Sequence, residues 1–183
     1  KIAWNNLGRA YLSLRRTDAA IRAFHQQIVI NPYDQYAYNN LGRAYIATRA
    51  YEKAEAAFLK QLEVNPLDKY TPSNLGGLYL ERRNYERAAE YFEKAIALDA
   101  ENSWLHYQAG KTYLHLKRVE HATAAFDRSV ALAPNPLTWN NIAYELSLHG
   151  IQLEKAQQYA ESAVSSVTAA SRSFARRVAS RSL

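Results

Sequence analysis

Trp4-Asn5-Asn6-Leu7-Gly8-Arg9-Ala10-Tyr11 returns 34 residues later as Tyr38-Asn39-Asn40-Leu41-Gly42-Arg43-Ala44-Tyr45. The step continues through Gly76 and Tyr79 to Gly110 and Tyr113. Two further columns keep it: Ala20, Ala54, Ala88 and Ala122, and Phe24, Phe58, Phe92 and Phe126. Independent columns at one period define a repeat array, in which each unit buries its apolar face against its neighbours.

Each period splits into two helical stretches. Trp4, Leu7, Tyr11 and Leu14 recur at three- and four-residue steps, as do Ala20, Ile21, Phe24 and Ile28, so each stretch has one apolar face. Thr17-Asp18 between them reads as an N-cap for the second helix. Asn31-Pro32 ends that helix, because proline lacks the N–H and disfavours helical geometry in the residue before it. Asn65-Pro66 and Pro134 do the same, while Ala100 leaves the third period to turn without a proline. A mid-helix glycine costs about 1 kcal/mol relative to alanine. Its recurrence points to close approach of the paired helix, with the Ala20 column expected opposite and the Phe24 column filling the gap to the next repeat.

The pattern Trp4, Leu7-Gly8, Tyr11, Ala20, Phe24, Pro32 resembles the tetratricopeptide repeat, and the likeness covers residues 1–136. It departs where Tyr38, Pro72 and His106 stand for Trp4 and where Ala109 stands for Leu7. Such a family implies an all-α fold, a right-handed superhelical α-solenoid of antiparallel helix pairs. The repeats are 1–34, 35–68, 69–102 and 103–136. In an irregular fifth repeat, 137–169, Trp139 to Ala143 echo Trp4 to Gly8 one residue early. Ala156 is back in register, and Ala160 takes the phenylalanine position. Residues 170–183, with Phe174 and Val178, read as a C-terminal capping helix or the start of a truncated sixth repeat.

The composition, 48% hydrophobic and 22% charged, is that of a folded chain. No apolar run approaches the ~20 residues of a membrane span, and no signal-peptide pattern opens the sequence. Lys1 in place of Met reads as a piece of a longer protein, so cytoplasm and periplasm both stay open. The absence of cysteine excludes disulfides, thiolate metal sites and a cysteine nucleophile. His25, His106, His115, His121 and His149 make no i, i+4 pair of metal ligands. Gly76-Gly77 lies inside a helix and not in a phosphate-cradling loop. Glu52, Glu55, Glu86, Glu90 and Glu93 alternate with Lys and Arg, as on solvated helix faces. The expectation is a protein that is not an enzyme and carries no cofactor or metal.

The family resemblance implies that the first helix of each repeat lines a concave, peptide-binding groove. Three sets of residues fall there. Tyr36, Tyr70, Trp104 and Tyr107 are aromatic. Asn5, Asn39, Asn40, Asn74 and Gln108 are amides, with Asn6, Asn140 and Asn141 in the same column. Arg9, Arg43 and Lys111 are basic, interrupted by Gly77. Amides can pair with any peptide backbone, although asparagine here is also a family consensus, and both readings stand. Arginine and lysine meet carboxylates. The net charge of +6 also favours acidic partners. The chaperone-type carboxylate clamp fits poorly: its five positions hold Asn5, Arg9, Asn40, Tyr70 and Asn74, where only Asn40 matches, and the frame one repeat later also gives one match.

A second basic set, Arg15, Arg16, Arg49, Arg82, Arg83, Lys117 and Arg118, falls at the turns inside repeats. Helix C-termini account for cations there. The expected function is a protein–protein interaction scaffold, bacterial in style, that holds an extended acidic segment. The alternatives are an accessory docking domain of a larger enzyme, nucleic-acid binding along the basic turns, and self-association through the end repeats.

Overall fold

The structure, a computed structural model, describes residues 2–179, with side chains over 2–169. The described residues form ten helices and no strand. They are α1 (Ala3–Ser13), α2 (Thr17–Ile30), α3 (Ala37–Ala47), α4 (Tyr51–Val64), α5 (Tyr70–Glu81), α6 (Tyr85–Leu98), α7 (Ser103–His115), α8 (Val119–Leu132), α9 (Pro136–Leu148) and α10 (Leu153–Ala179). Two units divide between Ala100 and Glu101. The first holds three helix pairs, α1–α6, and the second holds two, α7–α10.

Inside a pair, the glycine is explained by the phenylalanine and not by the alanine expected opposite it. A Cβ on Gly42 would lie 2.5 Å from Cε1 of Phe58, and the same overlap recurs at Gly8 with Phe24, Gly76 with Phe92 and Gly110 with Phe126. Each ring fills the hollow that its glycine leaves and is wholly buried. Burial of such a ring is worth about 1.5–3 kcal/mol, more than the helix penalty of the glycine. The Ala20 column is also fully buried. Between the first two pairs, Ala20 and Phe24 share a core with Leu41, Ala44 and Ala57. In the fifth pair Ala143 and Ala160 replace glycine and phenylalanine together, consistent with one residue having set the size of the other.

The turn inside each pair has one geometry. After α1, Arg15 N–H donates to Leu12 O (2.9 Å) and Arg16 N–H to Tyr11 O (2.8 Å), the two bonds of a Schellman close. Equivalent bonds follow α3, α5, α7 and α9. The geometry needs a left-handed residue, and Arg15, Arg49, Arg83 and Lys117 supply it with φ of 56–57°. Only the fifth turn uses glycine, Gly150.

Thr17-Asp18 does not cap α2. The Schellman close runs straight into the next helix, so Arg16 takes the N-cap position and no side chain caps it. Asp18 instead begins a column of acids in the first turn of every second helix: Glu52, Glu86, Glu120 and Glu154 follow. These acids favour the positive helix end. At the far end Asp99, followed by Ala100, takes φ −151° and ψ 73°, close to Asn31 at −142° and 91°. The turn therefore needs no proline.

Over residues 170–179 the backbone continues the helix before it, and 180–183 lie outside the described residues. α10 runs unbroken from Leu153 to Ala179, because its alanine-rich sequence contains neither proline nor glycine. The faces expected for Phe174 and Val178 lie outside the described side chains.

Candidate functional site

Buried polar side chains set the first helices of the first unit in place. Asp34 Oδ1 accepts from the N–H groups of Tyr36 and Ala37, both at 3.0 Å, and so caps α3. Asp68 accepts from Tyr70 N–H at 3.2 Å for α5. Gln27 is fully buried. It accepts from Asn5 N–H (3.3 Å) and donates to Asp34 Oδ2 (2.8 Å), which ties α1 to the loop entering α3. Gln61 repeats this between Asn39 N–H and Gln35 O, and Ser129 donates to Ser103 O in the second unit. Sequence reading missed this column. The signal was present in polar Gln27, Gln61 and Ser129 at whole multiples of the period, inside otherwise apolar helix faces.

The first unit brings eight of the twelve expected groove residues to one hollow of about 590 Å³. Asn5 and Arg9 enter it from α1, and Tyr36 stands at the start of α3. Asn39, Asn40 and Arg43 enter from α3, and Tyr70 and Asn74 from α5. Ile2, Asn6 and Ser73 complete the lining. Tyr36 is 48% exposed and Tyr70 62%.

The amides divide into two kinds. Asn40 Nδ2 donates to Asn5 Oδ1 at 2.9 Å, and Asn74 Nδ2 to Asn39 Oδ1 at 2.8 Å. Asn39 Oδ1 also accepts from Thr71 Oγ1 at 3.2 Å. Asn5, Asn39 and Asn40 are buried, so this ladder stitches α1 to α3 and α3 to α5. Asn6 remains exposed on the wall of the hollow.

The basic residues divide as well. Arg9 and Arg43 are exposed, share the 590 Å³ hollow and also line an adjoining one of about 560 Å³ with Asn6 and Ser13. Neither has an ion-pair partner among the described residues. Lys111, by contrast, is bound within its own unit: Nζ lies 3.0 Å from Glu145 Oε1, a carboxylate only 12% exposed. Tyr107 donates to the same oxygen at 3.4 Å and lies under the Lys111 ammonium, 5.7 Å from ring centre to Nζ. Burial, then the nearby Glu145 charge and hydrogen bond, push the Tyr107 hydroxyl up to about 12. Trp104 is half exposed on α7 and Gln108 half-buried.

The turn cations are partly neutralised. Arg82 pairs with Glu55 at 2.8 Å and with Glu52 at 3.4 Å. Glu55 also receives Arg87 at 3.1 Å and the Tyr79 hydroxyl at 2.6 Å. The Tyr79 hydroxyl is pushed up to about 12, by burial first and Glu55 second. Glu55 is thus an inter-repeat tie, while Glu90 makes the expected i, i+4 pair with Lys94 at 2.6 Å. Among the described residues no three metal-ligating side chains converge, and no helix is long and apolar enough to cross a membrane.

Two tetratricopeptide repeat family models match the sequence, over residues 2–66 and 79–141. The chain belongs to the tetratricopeptide repeat family. No curated protein sequence matches it. Solved tetratricopeptide repeat structures share its fold. MamA from Desulfovibrio magneticus RS-1 is 17% identical with a TM-score of 0.78, covering 88% of this chain and 92% of MamA. PilF of Pseudomonas aeruginosa is 23% identical with a TM-score of 0.77, covering 89% and 74%. YrrB, described as a TPR protein with an unusual peptide-binding site, is 17% identical with a TM-score of 0.71, covering 88% and 84%. At such identities the likeness is one of fold. Membership of this family of generally non-enzymatic proteins supports an interaction scaffold.

Proposed function

We propose that the concave face of the first unit holds an extended, acidic segment of a partner protein. One observation carries the reading: Arg9 and Arg43 stand on successive repeats, in one hollow, with no carboxylate of this chain within ion-pair reach among the described residues. Arginine prefers bidentate pairing with carboxylates. Tyr36 and Tyr70 flank them and offer contact area at small entropic cost. Asn6 supplies an exposed amide for the ligand backbone, while the buried asparagines hold the helices in register.

The test begins with peptides selected from a random library on the immobilised protein. Their affinities are then measured by fluorescence anisotropy on the wild type and on Arg9→Glu/Arg43→Glu. The expected result is enrichment of Asp and Glu among the selected peptides, with binding weakened about a hundredfold in the double variant. Selection of neutral or basic peptides, or binding that survives the charge reversal, overturns the reading.

A further inference from the structure

Gly77 is a glycine that the fold does not use. Gly8, Gly42, Gly76 and Gly110 each leave room for a phenylalanine ring, whereas a Cβ on Gly77 would meet nothing within 4 Å. Its φ lies outside the left-handed region, so no special backbone geometry calls for glycine either. Yet it sits inside α5, next to Gly76 and five residues after Pro72, where a second glycine weakens an already poor helix. Packing and conformation both leave alanine the better residue.

The groove supplies the reason. Gly77 keeps the register of Arg9 and Arg43 at the 34-residue step. It also follows Ser73 and Asn74 by one helical turn, the spacing that shares a face, and both line the hollow. Glycine on such a face permits close approach of a foreign backbone. Building on the peptide-groove reading, we infer that the bound segment comes closest to the protein at Gly77. It presents acidic residues to Arg9 and Arg43 and an uncharged residue to Gly77. The column thus reads acid, acid, neutral along the ligand, and Gly77 is its specificity-determining position.

Peptides selected on the wild-type protein test this on three variants. Gly77→Ala raises the thermal midpoint by about 2–4 °C, the gain of a better helix former, and weakens peptide binding about tenfold by adding a methyl where the ligand backbone comes closest. Gly77→Arg continues the basic column. It shifts preference toward a peptide whose residue facing position 77 is changed to Glu, and away from the parent. A higher midpoint with unchanged affinity in Gly77→Ala, or no change of preference in Gly77→Arg, overturns this inference and leaves the groove intact. Binding that persists in Arg9→Glu/Arg43→Glu overturns the groove itself.

Discussion

Arg43 in the first unit and Lys111 in the second occupy the same place in the repeat, two periods apart, and do different work. Arg43 is exposed beside Arg9 with no acid within ion-pair reach among the described residues. Lys111 is held by Glu145 and lies over Tyr107. The difference is made by α9, which brings Glu145 to Lys111. A column of like charges in a sequence therefore does not define a column of like binding sites, because each cation is decided by the side chains that the neighbouring helix brings to it. Unsatisfied charge marks the surface available to a partner, and satisfied charge marks internal structure.

The largest effect should separate the two directly. Arg9→Glu/Arg43→Glu should weaken binding of a selected acidic peptide by about a hundredfold, close to 2.7 kcal/mol. Lys111→Ala should leave that affinity unchanged. Equal losses in the two variants, measured by anisotropy, would remove the distinction between the units.

Lys111→Ala should act on stability instead. It strands a carboxylate that is 12% exposed, and the expected destabilisation is about 1–2 kcal/mol. Urea unfolding monitored by far-ultraviolet circular dichroism reads it. A variant as stable as the wild type would show Glu145 to be hydrated, and Lys111 would again be a candidate ligand contact.

The period and the two-helix unit were legible because they rest on spacing. Gly8, Tyr11, Ala20 and Phe24 each report one face of one helix, and repetition makes the report unambiguous. Contacts across helices were less legible. The glycine hollow was assigned to Ala20 and belongs to Phe24, since spacing says which residues share a face and not which one reaches across. Thr17 looked like a cap by composition, but the Schellman turn gives that place to Arg16. For the groove, residue placement in the first unit was readable. What each residue does was not, because Asn5 is consumed by Asn40 and Lys111 by Glu145, partners about one period away in the chain.

The hydroxyl of Tyr107 gives a finer probe of the Glu145 site. It is raised to about 12 with burial as the first cause and Glu145 following. Glu145→Gln should lower it, yet keep it above the ordinary 10, in a spectrophotometric titration of the phenolate. The neutral tyrosine is the form the fold favours. Its contribution to stability is therefore complete below pH 10 and is lost as pH rises through 12. Tyr79, also raised to about 12, adds to the same alkaline loss. An unaltered Tyr107 titration in Glu145→Gln would mean that burial alone sets the shift and that the hydrogen bond to Glu145 is not made in solution.

The smallest effect concerns what the units share. Arg49 and Lys117 both sit at φ 57° in the turn of their pairs, a conformation costly to any residue with a Cβ and easy for glycine. Neither has an ion-pair partner among the described residues, so replacement removes strain without removing an ion pair. Part of the gain is offset because glycine is also freer in the unfolded chain. Arg49→Gly and Lys117→Gly should therefore each stabilise by about 0.5 kcal/mol, and by the same amount in both units. Equal increments would show that the turn is one device repeated without regard to its surroundings, in contrast to the groove cations. Unequal increments would mean that neighbouring side chains reach the turns as they reach the groove, and the repeat would then be uniform in backbone alone.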